Sequence, residues 1–402
     1  MSESFAIVNA DVVLPEQIYA RGAVVVRNGR IVEVATSRHL LETRPERQID
    51  AGGAYLMPGI VDLHNDALEF EINPRPRANL PLPFAFANLE RRLLAAGVTT
   101  EFHALSYINR EAAQRTVEGA AGRADYIASV RARGTTTIDH QILHRIDVWT
   151  PEHLDLVFES VARMDVKYVS LNDHTPGQGQ YPDLAQHVER MREYASTRGT
   201  PTPDVETLYE RFQSRLTDNE TIPSIYQRIA REAAQHGIAI STHDDDSAAK
   251  VDAQWVIGAS IAEFPITIAA AEQARARGMS IIVGAPNVVR GGSQSGNLDA
   301  RELFARGLAD IICADYHAPS LLSAAFRLAR ERYLSMPAAI ATITLNPARA
   351  VGMHNRGAIA PGLRADLILV RPDRDEVPHV EAVFVGGHAA MRYERPAMVA
   401  AL

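Results

Sequence analysis

Short apolar runs recur through the middle of this chain, and stretches with apolar residues at helical spacing separate them. The runs cover residues 59–64, 98–105, 137–148, 166–171, 238–242, 256–264, 280–284 and 310–314. Between them, segments such as 89–96 and 225–235 place apolar residues three and four apart, the helical period. Strands alternating with helices predict a parallel sheet. Eight such units over roughly 250 residues or more match a (β/α)8 TIM-like barrel, with an open doubly wound sheet as the other arrangement.

Both ends of the chain read differently. Residues 5–8, 23–26 and 31–34 form short strand-like runs, separated by turn signals such as Arg27-Asn28-Gly29-Arg30. The pattern resumes at 365–370 and 382–387. The expectation is one small discontinuous β-sandwich domain from residues 1–56 and 356–402, around a barrel at 57–355. Residues 175–221 are polar and partly helical, which fits a lid or a plain insertion.

Several barrel runs end in side chains that can ligate a cation. The first closes with His64-Asn65-Asp66, the third near Arg145-Ile146-Asp147, the fourth with Asn172-Asp173-His174, the fifth with Thr242-His243-Asp244-Asp245-Asp246 and the eighth with Ala314-Asp315-Tyr316-His317. Residues at the C-terminal end of barrel strands line one common rim. One such histidine is an ordinary structural residue; recurrence at strand after strand points to a site. Imidazoles and carboxylates together suit zinc or a similar divalent ion. A bound divalent ion brings the pKa of water from 15.7 to about 7, and a carboxylate not fully committed to metal can take the water's proton. Asp315 is the candidate for that role. The candidate ligands are His64, Asp66, Asp147, His174, His243 and Asp315, holding two divalent ions, zinc first and manganese, iron or nickel as alternatives.

Composition narrows the partners. A hydrophobic share of 46% and a charged share of 22% are those of a globular chain. The net charge of −8 offers no basic face for nucleic acid. No apolar stretch approaches the ~20 residues that span a bilayer. The lone cysteine, Cys313, fits a reducing compartment, so the expected location is the cytoplasm. Positive charge resides almost wholly in arginine, with Lys167 and Lys250 the only lysines. Arg75 and Arg77 follow the first strand, and Arg290-Gly291-Gly292-Ser293 follows the seventh. A glycine-rich loop opened by arginine can cradle phosphate, or it can be only a flexible connection. The expected partner is a small anionic molecule, with neither nucleic acid nor membrane, and a homo-oligomer is left open.

The strand-entry run Met57-Pro58-Gly59-Ile60-Val61-Asp62-Leu63-His64, the later histidines and Asp315 resemble the amidohydrolase superfamily. A closer resemblance is to its phosphonate-metabolism branch. It is carried by Asn73-Pro74-Arg75-Pro76, by residues 169–178, by Ile261-Ala262-Glu263-Phe264-Pro265, and most specifically by residues 284–296. That branch implies cleavage of a ribosyl 5-triphosphate to the 5-phosphate and pyrophosphate. The superfamily often bridges its metals with a carboxylated lysine. Lys167 and Lys250 are badly placed for this, and the branch sets a glutamate where Asp147 stands, so the resemblance makes Asp147 the bridging carboxylate. His103 and His317 depart from the branch's usual Asp and Tyr, and Asp246 adds a carboxylate. The readings that compete with a triphosphate hydrolase are hydrolysis of an N-acyl or cyclic amide and a non-catalytic metal-binding scaffold.

Overall fold

The computed structural model describes residues 4–43, 45–75, 78–108, 116–148, 153–173, 221–293 and 298–393, with residues 189, 192 and 196 isolated between the longer stretches. Most of the segment read as a lid or insertion lies outside the described residues.

The N-terminal strands are β1 (Ser4–Val13), β2 (Ile18–Arg27), β3 (Arg30–Ala35), β4 (Arg47–Asp50) and β5 (Tyr55–Pro58). The barrel strands are β6 (Ile60–Asn65), β7 (Val98–Tyr107), β8 (Asp139–Asp147), β9 (Tyr168–Asn172), β10 (Ala239–His243), β11 (Ala259–Glu263), β12 (Ser280–Gly284) and β13 (Ile311–Cys313). After them come β14 (Leu367–Pro372), β15 (Pro378–Val385) and β16 (His388–Arg392). Strands β6 to β13 pair in sequence order, each parallel to the next. Each of the eight apolar runs of the sequence contributes one of these strands, so the chain is a (β/α)8 barrel. The remaining strands form a second sheet, ordered β16-β15-β14-β5-β1-β2-β3, with β4 on β1. The two ends of the chain meet where β14 pairs antiparallel with β5, Leu367 opposite Pro58.

Period-two alternation gives every barrel strand two apolar faces. Val61, Leu63, Phe102, Leu143, Tyr168, Ile261, Ile282 and Ile311 fill the barrel lumen as one cluster. Ile60, Leu105, Ile142, Val169 and Ile281 belong to a larger cluster that takes in the surrounding helices. Helix boundaries carry local signals. Thr116, Ser247 and Thr267 cap the helices Val117–Arg133, Ala248–Val256 and Ile268–Ala276 by accepting a backbone N–H. Gly134 ends the first of these in a left-handed conformation, φ 60°. Low in the lumen, Arg356 donates to Asp139 at 2.7 Å and to Thr100 Oγ1 at 2.8 Å.

The second sheet enters the barrel through Gly59, whose N–H donates to Asp366 O at 2.8 Å. A Cβ on Gly59 would overlap the buried Thr99 side chain, whereas one on Gly122, in a helix, meets nothing within 4 Å. Gly59→Ala is therefore expected to lower stability by about 1–3 kcal/mol by overpacking. Gly122→Ala is expected to raise it by about 0.5–1 kcal/mol through helix propensity. Urea unfolding of both variants checks the contrast, and equal midpoints would show that the junction at Gly59 is not tight.

Candidate metal centre

The barrel closes between β13 and β6, and the site lies on that seam. Asp315 N donates to His64 O at 2.9 Å, and Asp66 N donates to Asp315 O at 2.7 Å. Deeper in, no ordinary ladder continues. The carboxylate of Asp62 accepts from Ala314 N at 2.9 Å and from His64 N at 3.3 Å. Residues 342–343 fill the rest of the gap, with Ile343 O accepting from Val61 N and Thr342 O from Ile312 N, each at 3.0 Å. Asp62 stands opposite Glu101, and both are fully buried. Burial pushes Asp62 up to about 7. It pushes Glu101 well above the carboxylate range, with the charge of Asp62 as the next cause. Glu101 thus holds its proton more tightly than Asp62 beside it.

Above the seam the strand ends form a cup. One ligand atom each from His64, Asp66 and Asp315 lie within 4.8 Å of one another, and so do atoms of His64, His243 and Glu263. Hydrogen bonds separate the roles. His64 Nδ1 lies 3.0 Å from Glu263 Oε2, and His243 Nδ1 lies 2.8 Å from Asp244 Oδ2. Each contact leaves the ring's Nε2 for the cup, and His64 Nε2 faces Asp66 Oδ1 at 3.9 Å. Glu263 is otherwise engaged. Its Oε1 accepts from Tyr168 Oη at 2.5 Å and Ser241 Oγ at 2.7 Å, and its Oε2 accepts from Ser170 Oγ at 3.3 Å. Burial works to raise Glu263, but the bond and charge of His64 prevail and hold it at about 2. Burial works to lower His64, but Glu263 holds it above its ordinary value. A carboxylate behind a ligating imidazole fixes the ring's tautomer and direction, so Glu263 and Asp244 orient, while His64, His243, Asp66 and Asp315 face the cup. Two imidazole nitrogens and two carboxylates are a donor set that fits zinc or a similar divalent ion.

The backbone is bent to make this cup. Asp244, Phe264 and Asp315 follow or close their strands with φ of 55°, 53° and 60°. Non-glycine residues enter that region rarely, and they cluster where function needs a particular aim. Phe264 sets its ring against both imidazoles, with centroids 5.3 Å from His64 and 5.1 Å from His243. Asp315 is half-buried, and its loss of solvation pushes the carboxyl up to about 6 against the charges of His64 and Arg145.

Arg145 enters the same space from β8. Its Nη1 donates to both Asp66 oxygens at 3.1 Å, and its Nε and Nη2 donate to Asn172 Oδ1 at 3.2 and 2.9 Å. Nη2 also lies 3.4 Å from His243 Nε2.

Asp147 is buried at the mouth of β8, two residues beyond Arg145 on the same face, and belongs to neither cluster. His174 and Arg77 lie outside the described residues. Arg75 is exposed in the loop after the helix Ala67–Ile72. The Arg290 segment differs from a phosphate cradle. The N–H groups of Gly291 and Gly292 both donate to Asn287 O, at 2.9 and 3.2 Å, and so end the helix Ala285–Arg290. Arg290 folds back on Gly292 O at 2.7 Å and lines a cavity of about 1210 Å³ with Tyr316 and His317. Ser293 follows this turn, half-buried. His103 sits behind the barrel wall, stacked on His140 at 5.1 Å and packed on Phe86 of the helix Leu82–Ala95. Sequence reading assigned no role to Glu263, Arg145, Asn172 or Asp244. The available signal was a charged side chain ending the strand at Glu263, and an inward-facing arginine two residues before Asp147.

A barrel with a histidine–carboxylate cup at its C-terminal mouth defines a metal-dependent hydrolase. The chain belongs to the amidohydrolase family. Its profile, described as "Amidohydrolase family", matches residues 204–390. The chain is 35% identical over 383 residues to the alpha-D-ribose 1-methylphosphonate 5-triphosphate diphosphatase of Escherichia coli (strain K12), covering 94% of this chain and 98% of that protein. Among solved structures, an amidohydrolase superposes with a TM-score of 0.66 at 17% identity, over 98% of this chain and 100% of its own. A 5-methylcytosine deaminase from Klebsiella pneumoniae superposes with a TM-score of 0.65 at 14% identity, over 98% of both chains. These two show the shared fold. Among the described residues, no helix is long and apolar enough to cross a membrane.

Two outcomes are expected for metal binding. Glu263→Gln removes the carboxylate behind His64 and should weaken divalent-ion affinity about 10- to 100-fold, read by competition with a chelating dye. Unchanged affinity would show that His64 is oriented by something else. The second concerns pH. With Asp315 raised to about 6 and His64 raised above its ordinary value, both groups hold protons as pH falls, and a ligand must lose its proton to bind metal. Affinity should therefore drop as pH falls through about 6. A flat titration from pH 7.5 to about 5 would contradict this.

Proposed function

We propose that this enzyme hydrolyses a ribosyl 5-triphosphate of the ribose 1-methylphosphonate type to the 5-phosphate and pyrophosphate. The observation that carries the reading is the end-to-end likeness to the Escherichia coli diphosphatase, joined to a cup able to hold a divalent ion.

His64, Asp66, His243 and Asp315 would hold divalent metal, zinc first among the ions to test, with Asp147 at the mouth of β8 and His174 as further candidate ligands. Bound metal supplies a water of lowered pKa and polarises a phosphoryl oxygen. The chain's own groups do the rest. Water oxygen bonds to the α-phosphorus while the bond from that phosphorus to the α–β bridging oxygen breaks. The electron pair leaves with pyrophosphate, and the water's proton passes to an Asp315 carboxylate oxygen. A carboxyl raised by burial to about 6 is matched to holding and releasing a proton near neutral pH. Arg145 reaches the reacting group from β8, where a planar fork matches phosphate oxygens. Arg75, Arg77 and the segment Arg290-Gly291-Gly292-Ser293 are the candidates for the outer phosphates, with Arg290 acting by its side chain because the glycine N–H groups serve the helix end.

Pyrophosphate release from a panel of ribosyl triphosphates, run beside N-acyl and cyclic amides with the metal-loaded enzyme, tests the reading. Turnover of amides alone would overturn it. Asp315→Asn should cut kcat about 100- to 10,000-fold, since an amide of the same size cannot take the proton. A near-normal kcat with full metal content would assign the base elsewhere.

A further inference from the structure

Arg145 is a cation that the proposed mechanism does not need for structural support, yet it is fixed as firmly as any group in the site. Its side chain is 9% exposed. It presents Nη1 to both oxygens of Asp66 and aims Nη2 at His243 Nε2. Those are two of the four groups facing the cup. On the other side, Asn172 Oδ1 accepts from Nε and Nη2. The amide of Asn172 is itself held, since its Nδ2 donates to Ser170 O at 3.2 Å and to Ser170 Oγ at 3.3 Å. That leaves its oxygen turned to the guanidinium. The ring of His243 is held too. Its Nδ1 lies 2.8 Å from an Asp244 carboxylate oxygen, which can only accept, so that nitrogen carries the proton, and Arg145 Nη2 lies 3.4 Å from Nε2.

A divalent ion shared by Asp66 and His243 needs the same electron pairs and the same space. A guanidinium stays protonated throughout the working pH range, so it cannot yield by losing its charge. It also repels a second ion at close range in a buried site. One ligand atom each of His64, Asp66 and Asp315 lie within 4.8 Å of one another, a set able to hold one ion beside the guanidinium.

We propose that the guanidinium of Arg145 stands in the place of a second metal ion, so that the centre holds one divalent ion and one fixed organic cation. The inference rests on the metal-centre reading above and departs from the two ions expected from sequence. Asp66 then bridges metal and guanidinium, and Arg145 is a positioning residue for the metal ligands as well as a contact for the substrate's phosphoryl oxygens.

The test is ion stoichiometry. Full-length protein is stripped with chelator, titrated with Mn2+, desalted and analysed for metal, with the Mn2+ electron paramagnetic resonance spectrum recorded alongside. One ion per chain with an uncoupled spectrum in the unaltered enzyme supports the proposal. Two tightly held, spin-coupled ions overturn it while leaving the metal-centre reading intact. No bound ion overturns both. Arg145→Met should admit a second ion and produce a coupled spectrum, whereas Arg145→Lys, which keeps the charge, should stay at one. A single ion in Arg145→Met would show that something other than Arg145 sets the count. If Arg145→Met does not fold, the stoichiometry of the unaltered enzyme decides the matter alone.

Discussion

The site depends on the way one buried carboxylate closes the barrel. Where β13 meets β6, Asp62 takes the N–H of Ala314 and of His64, the residues beside and within the cup. A regular parallel ladder would set these two strands in even register along their length. Here a side chain and residues 342–343 fill the lower seam, and only the upper end is bonded strand to strand. This frees Asp315 to turn into a left-handed backbone conformation and to aim its carboxylate across the mouth. Burial raises both Asp62 and Glu101, Glu101 the further of the two, because two adjacent buried carboxyls resist ionising together.

From that seam outward, each group in the cup is aimed by another behind it. Glu263 accepts bonds from β9 and β10 and one from the His64 ring on β6, so a single side chain ties four strands together at the depth of the site. Asp244 does the same for His243 from the next position in the chain. Rigid outer partners hold a charged centre in one geometry without reorganisation during reaction.

Much of this was legible in the sequence, because barrel strands announce themselves twice: by apolar runs and by polar residues at their C-terminal ends. His64, Asp66, His243 and Asp315 each sit at such an end. Glu263 ends its strand in the same way, but its meaning lies in Tyr168, Ser170 and Ser241, which are distant in sequence. Arg145 looked like a strand residue because its partner Asp66 stands across the lumen. Period-two alternation, applied strictly, separates His103 from the inward-facing Phe102 and Ala104 and places it against the helices. The pair Gly291-Gly292 shows a different limit. Composition gives the number of backbone N–H groups but not the carbonyl they bond, and here the carbonyl is Asn287's.

The joining of the two chain ends has a consequence for synthesis. β5 leads directly into the strand that bears His64, yet its antiparallel neighbour β14 is made long after the barrel helices. The carbonyls of Thr342 and Ile343 that plug the seam also arrive late. It follows that a chain still emerging from the ribosome carries an open sheet edge and an unshut barrel at the same time. Unpaired edges of this kind invite association with other chains.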